Sequence, residues 1–384
     1  MKTKILLPLI IVLMIVMGHN KSINAQSDNA RWYNGSVYAK EGPYAVVTDS
    51  AYIGAQNIRV HRPVNAGHGP YPVMMFHQGG PGFLTPRTYD LFTKHLASYG
   101  YVVVVLAAKF PPNPLNDDFS TILEWMEGQV AQGVSEWADY ADLSKIVVGG
   151  HSFGGIVATT FIANHPERAI GIVYFASYAA PEPLQPIAPY PGKVLMLGGM
   201  EDALTSPENI TATFERFVTA SCKSKVLIDG IAHGAFGDYE KDPVGSIGRE
   251  KATEVIRHFF VSFMENATKD NAWAGLNLLN PYQHPVKVAE FDSSCSPFND
   301  LEHDKVLQGV RIFPNPIVYQ VLTLYVEDIS EYSYQIRDFT STLHRSDGGL
   351  TGASTIHVSD LPSGVYYIIV RAEGKRKVVR FFKW

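Results

Sequence analysis

A serine stands among paired glycines at Gly149-Gly150-His151-Ser152-Phe153-Gly154-Gly155, directly after the apolar run Ile146-Val147-Val148 and before a helix-forming stretch. A serine hydroxyl is a poor nucleophile at neutral pH; it attacks a carbonyl when a base removes its proton and a third group orients that base. In a strand–turn–helix setting the serine occupies a sharp, strained turn whose neighbours two residues away must lack a Cβ. Gly150 and Gly154 meet that demand. The free N–H groups opening the following helix favour negative charge developing on a substrate. The chemistry these residue types permit is acyl transfer.

On a sheet of this type the partners follow in the order acid, then histidine, each on a loop leaving a strand's C-terminal end. Residues 194–197 run into Gly198-Gly199-Met200-Glu201-Asp202. Asp202 is preferred over Glu201 because the shorter side chain holds an imidazole more rigidly, with Glu201 as the alternative. Residues 226–229 run into Gly230-Ile231-Ala232-His233, which makes His233 the base. Of the 13 histidines, His258 lies in a helix-like run, His284 and His303 in a linker, and His344 and His357 near the C-terminus. The elbow should turn His151 away from Ser152. Residues 73–76 end in His77-Gln78-Gly79-Gly80-Pro81-Gly82, a loop able to offer the Gly80 N–H beside that of Phe153 as an oxyanion pair. A pocket lined by Phe153 and Phe83 would suit hydrophobic acyl chains. With no H-E-x-x-H, no P-loop lysine and no G-x-G-x-x-G frame, neither a metal nor a cofactor is expected.

The elements that must hold these residues are legible as apolar runs. The chain has 384 residues, 46% hydrophobic and 18% charged, which suffices for a large buried core. Its net charge of −5 gives no reason to expect a nucleic-acid partner. Unbroken apolar runs at 73–76, 101–106, 146–148, 170–175, 194–197 and 225–228 predict strands buried on both faces. Helix-like stretches at 89–98, 118–126, 153–164 and 250–264 lie between or after them. That alternation predicts an α/β fold, a mostly parallel sheet flanked by helices. Asp118 is placed to cap the second helix, and Pro166 to help end the third.

The two ends of the chain use a different grammar. Lys2 and Lys4 precede an uncharged apolar run over 5–17, and Ala25 offers a small residue for cleavage, so residues 1–25 read as a signal peptide. The run is shorter than the roughly 20 residues that span a bilayer, and no transmembrane segment is expected after cleavage. Export permits a bridge between the two cysteines, Cys222 and Cys295, although spacing leaves two free thiols equally open. Residues 26–290 are assigned to the catalytic domain and 291–306 to a linker. In 307–384, short strand-like runs at 318–326, 332–337, 355–358, 365–371 and 377–382 alternate with turn chemistry at Asp347-Gly348-Gly349 and Pro362-Ser363-Gly364. They predict a small all-β sandwich.

From about Gly42 to Met264 the chain resembles the α/β-hydrolases of the cutinase and bacterial polyesterase group, including PET hydrolase-like enzymes, with platelet-activating-factor acetylhydrolases as near relatives. Gly42-Pro43-Tyr44 and Leu96-Ala97-Ser98-Tyr99-Gly100-Tyr101-Val102-Val103 carry the resemblance beside the serine motif. It implies a serine esterase with Ser152, Asp202 and His233 as nucleophile, acid and base, acting on hydrophobic esters or polyesters; lipase, acetylhydrolase and chlorophyllase-like activities are its alternatives. Gly80 stands where many polyesterases place an aromatic clamp, and no tryptophan lies near Tyr178-Ala179-Ala180-Pro181-Glu182-Pro183, so action on aromatic polyesters does not follow. The C-terminal part resembles the sorting domain of type IX secretion cargo, through Phe313-Pro314-Asn315-Pro316, Leu361-Pro362-Ser363-Gly364-Val365-Tyr366-Tyr367 and the basic end at 375–383. That implies the type IX machinery as a partner and a secreted or surface-attached product. A carbohydrate-binding sandwich is the rival reading of this domain. For the whole chain the rival is an inactive surface-binding protein, opposed by the complete Ser, Asp and His set.

Overall fold

The six unbroken apolar runs form the middle of one sheet: β3 (Tyr71–His77), β4 (Val102–Leu106), β5 (Ala141–His151), β6 (Gly171–Phe175), β7 (Lys193–Gly199) and β8 (Cys222–Ile228). Each pairs in parallel with its neighbours within this group. The computed structural model describes residues 37–383, with breaks at 55, 65–68, 81–83, 110–112, 114, 134–139, 181–186, 188, 240, 272–273, 276–277, 279–285, 296–308, 316, 318–319, 328, 339–341 and 374. The leader assigned to 1–25, Phe83 and the 296–306 part of the expected linker lie outside the described residues.

Three more strands complete the sheet among the described residues. β1 (Ala45–Ile53) and β2 (Gln56–Val64) form an antiparallel hairpin on one edge, and β9 (Val288–Ser293) runs antiparallel to β8 on the other. The order is β1-β2-β4-β3-β5-β6-β7-β8-β9. None of these three strands is apparent from apolar runs: β1 and β9 are partly exposed, and the mostly buried β2 carries Gln56, Asn57, Arg59, His61 and Arg62 among its apolar residues. In β2, Arg59 and His61 turn to Asp90, and Arg62 pairs with Asp49 of β1 at 2.7 Å.

The helices are α1 (Asp90–Ala97), α2 (Asp118–Gln132), α3 (Phe153–Asn164), α4 (Pro207–Arg216) and α5 (Arg249–Lys269). Successive strand residues point to opposite faces, so one sheet feeds two cores. Met74, Phe76, Val103, Val105, Val173 and Phe175 pack with Phe92, Phe259 and Phe263 of α1 and α5. Met75, Val104, Val148, Ile172 and Met196 pack with Phe119, Phe161 and Phe214 of α2, α3 and α4. The cap of α2 differs from expectation: Asp117 accepts the Ser120 N–H at 3.1 Å, while Asp118 is buried one residue inside and pairs with Lys109 at 2.6 Å.

Cys222 is bonded to Cys295, 73 positions away in sequence, with Cα atoms 4.4 Å apart. Closing so long a loop stabilises a fold by about 4 kcal/mol in the chain-entropy model. Together with β9, the bridge carries the first domain past the boundary expected at residue 290. The polar, half-exposed Val-Ala-Glu-Phe-Asp-Ser run of β9 hides a strand that one edge of the sheet recruits.

The C-terminal domain has two antiparallel sheets. One holds β10 (Arg311–Phe313), β11 (Val321–Tyr325) and β14 (Ala353–His357); the other holds β13 (Leu343–Leu350), β12 (Tyr332–Asp338), β15 (Gly364–Ala372) and β16 (Lys375–Lys383). Leu322, Leu324, Ile336, Ile356, Ile368 and Val370 form its own core. The Tyr332 hydroxyl crosses between the sheets to Ser354 Oγ at 2.7 Å. The turn expected at Asp347-Gly348-Gly349 lies inside β13 instead, and Gly352, at φ 59°, makes the turn before β14.

Candidate active site

β5 ends at His151, α3 begins at Phe153, and Ser152 between them is held at φ 51° and ψ −122°. A positive φ is uncommon outside glycine, and such strain, about 1–3 kcal/mol, persists only where the surroundings over-determine it. Here the Ser152 N–H donates to the Phe175 carbonyl at 3.0 Å, and the Ser152 carbonyl accepts from the Gly155 N–H and the Ser177 hydroxyl. A Cβ on Gly150 would lie 2.6 Å from the His77 carbonyl oxygen. One on Gly154 would collide with the carbonyl oxygens of His77 and Gln78. The two glycines therefore do more than clear the elbow: they let the main chain of the 77–80 loop close onto the start of α3.

The acid and the histidine meet. His233 Nδ1 donates to Asp202 Oδ2 at 2.8 Å, and both side chains are buried. The other Asp202 oxygen, Oδ1, accepts the Leu204 and Thr205 N–H groups at 2.8 Å each. Three donors thus fix the carboxylate in one orientation. Glu201, the alternative acid, is committed elsewhere, accepting from the backbone N–H and the hydroxyl of Ser246. His233 opens a 3₁₀ turn (His233–Phe236) whose backbone is pinned by Ala232 N–H to Val244 and Gly234 N–H to Pro243, both at 2.9 Å. Ser152 forms no hydrogen bond with His233 among the described residues; resting sites often tighten this contact only when substrate binds.

The Gly80 N–H meets no acceptor among the described residues, and a Cβ there would touch nothing within 4 Å. Among the described residues, no side chain fills the space beside Gly80. Phe153 is half-buried at the first position of α3, where a backbone N–H has no partner inside the helix. Its ring centroid stands 6.2 Å from that of His77 at the base of the same loop.

Two residues of the site escape sequence reasoning. The His151 ring lies 4.5 Å from that of His233. Burial pushes its pKa well below the ordinary value, with the His233 charge adding to the effect, which favours the neutral ring. Tyr89 is wholly buried, and its hydroxyl contacts His151 Nδ1 at 3.0 Å and the Gly79 N–H at 2.7 Å. Adjacency to Ser152 raises His151 only as a candidate that is set aside; its ring contact with His233 has no local sequence signal. Nothing in the local sequence marks Tyr89, which lies 62 positions away from its partner.

Residues 73–253 match the profile of the alpha/beta hydrolase family. The first domain, with its sheet order, covering helices and serine elbow, is an α/β-hydrolase domain. The chain is similar over 103 residues, at 27% identity, to abhydrolase domain-containing protein abhd-5.2 of Caenorhabditis elegans, covering 27% of this chain and 22% of the relative. It is similar over 96 residues, at 32% identity, to chlorophyllase type 0 of Chenopodium album, covering 23% of this chain and 27% of the relative. The matched stretch thus spans about a quarter of the length of these curated relatives.

Proposed function

We propose that this protein is a secreted serine carboxylic-ester hydrolase acting on hydrophobic esters, polyesters among them. Ser152 Oγ attacks the ester carbonyl carbon while His233 Nε2 takes its proton, since Nδ1 is occupied by Asp202. Asp202 holds the imidazole in that tautomer and stabilises the charge it gains. The N–H groups of Gly80 and Phe153 receive the oxyanion. Collapse of the tetrahedral intermediate expels the alcohol with the proton from His233 and leaves an acyl group on Ser152; water, activated by the same imidazole, releases the acid and restores the serine.

The observation that carries this reading is the 2.8 Å bond between His233 and Asp202, two residues 31 positions apart, in a domain whose strained elbow presents Ser152. The partial similarity to a chlorophyllase supports ester rather than amide hydrolysis.

A fluorophosphonate is expected to label Ser152 and abolish turnover; a chain that turns over esters but takes no label there would overturn the mechanism. Comparing rates on p-nitrophenyl butyrate, tributyrin and polyester film then separates a soluble-ester hydrolase from a lipase and a polyesterase.

The C-terminal sandwich is read as the export signal of this enzyme, acting through the type IX machinery after the leader directs the chain out of the cytoplasm. Deleting 307–384 is expected to block export in the native host and leave kcat/KM of the purified remainder within about threefold, since its core is separate. Loss of catalysis in the truncated protein would sink that division of labour.

A further inference from the structure

The Gly79 N–H donates to the Tyr89 hydroxyl at 2.7 Å, so the hydroxyl's own proton is free to point at His151 Nδ1, 3.0 Å away. That hydroxyl holds the His151 ring through Nδ1, while Nε2 is buried with no hydrogen-bond partner among the described residues. Gly79 is adjacent to Gly80 of the oxyanion loop, and His151 is adjacent to Ser152 while its ring floors that of His233. Phe236 lies along the His151 ring at 6.2 Å and 21°.

A third link runs through the backbone: the Asp238 N–H, just beyond the His233 turn, donates to the Thr88 carbonyl at 2.6 Å. The space is built for this arrangement. A Cβ on Gly79 would stand 3.0 Å from both His151 Nδ1 and the Tyr89 hydroxyl. Tyr89 is itself held by Phe76 at 5.1 Å and by the Thr93 hydroxyl on its carbonyl.

We infer that Tyr89 and His151 form one positioning unit that keeps the oxyanion loop in register with Ser152 and His233; this rests on the serine-hydrolase reading above. Neither residue touches the reacting atoms. The hydroxyl fixes the loop on one side and the His151 ring on the other, so a shift in either half of the site is felt by both. A neutral His151 also spares the imidazolium that forms on His233 a like charge at 4.5 Å.

Three variants of the full chain test the inference. Tyr89→Phe removes only the hydroxyl, His151→Asn keeps an acceptor near the Nδ1 position, and His151→Leu keeps bulk without one. Turnover of p-nitrophenyl butyrate is measured per active site, counted by fluorophosphonate titration so that misfolded chains drop out. In Tyr89→Phe and His151→Leu, kcat is expected to fall about tenfold to a hundredfold with KM within about twofold; in His151→Asn it stays within about threefold of the parent. A merely structural role lowers the number of titratable sites or the melting temperature and leaves turnover per site unchanged.

Unchanged turnover per site in Tyr89→Phe and His151→Leu overturns the inference, and so does an equal loss in His151→Asn and His151→Leu. If Tyr89→Phe yields no titratable sites, the two His151 variants decide. Absence of label on Ser152 in the parent counts against the serine-hydrolase reading itself. A labelled parent with equally fast variants leaves that reading standing and removes the positioning unit.

Discussion

Ser152→Ala is expected to lower kcat for p-nitrophenyl butyrate by about 10⁴–10⁶, while the melting temperature stays within a few degrees of the parent. On the proposed mechanism the rate loss follows because Ser152 carries the acyl intermediate; what survives is binding and the oxyanion donors. The stability expectation has a separate origin. The bonds that fix the elbow use the backbone of residue 152, through Phe175, Gly155 and Ser177, and alanine retains all of them. Alanine also inherits the positive φ, so the strain is neither relieved nor increased. Ser152→Gly should instead relax the turn and gain up to about 1 kcal/mol of stability with the same loss of turnover. Thermal melts and initial rates on the two variants check both halves. Alanine at 152 with a tenth or more of the parental rate would mean that the nucleophile lies elsewhere.

The parts of this chain that could be read from its sequence are those whose physics is local. A strand buried on both faces must be apolar throughout, so β3 to β8 announce themselves, and the elbow does so through glycines that no other residue can replace at that spacing. Asp202 and His233 were legible because each follows a strand directly. Where stability comes from a partner distant in sequence, the signal vanishes. The β1–β2 hairpin accommodates a half-buried Arg59 and a buried Arg62 because Asp90 and Asp49 meet them, and β9 is a strand because β8 offers it an edge and Cys222 a bond. Tyr89 belongs to the same group: its place beside His151 depends on the packing of α1 against the sheet, which no local pattern states. The cap of α2 went to Asp117 rather than Asp118 for a tertiary reason as well, since Asp118 turns inward to Lys109 and His77.

Asp202→Asn is expected to lower kcat by about 10⁴ with little loss of stability, and the surroundings of this one side chain explain why both should hold. Asp202 Oδ1 accepts two backbone N–H groups, from Leu204 and Thr205. In the variant, the amide oxygen takes that position, because an amide NH₂ placed there would oppose two donors. The loop after β7 is therefore preserved. The NH₂ is then directed at His233 Nδ1, which must accept rather than donate, and the imidazole proton moves to Nε2. With its proton on the nitrogen that should receive the serine's, His233 cannot act as the base. Asp202→Ala differs in kind: it strands the buried Thr205 N–H, which should cost about 1–3 kcal/mol of stability, and frees the Leu204 N–H at an exposed residue, which water can satisfy. The pair is read by kcat/KM on p-nitrophenyl butyrate together with thermal melts. Labelling of Ser152 by a fluorophosphonate should slow in parallel with hydrolysis in Asp202→Asn, since both reactions need the same proton removed. If Asp202→Asn keeps activity within tenfold of the parent, then neither the tautomer nor the acid assignment stands, and Glu201→Gln, which disturbs only Ser246 in this arrangement, becomes the variant in which to look for the missing effect.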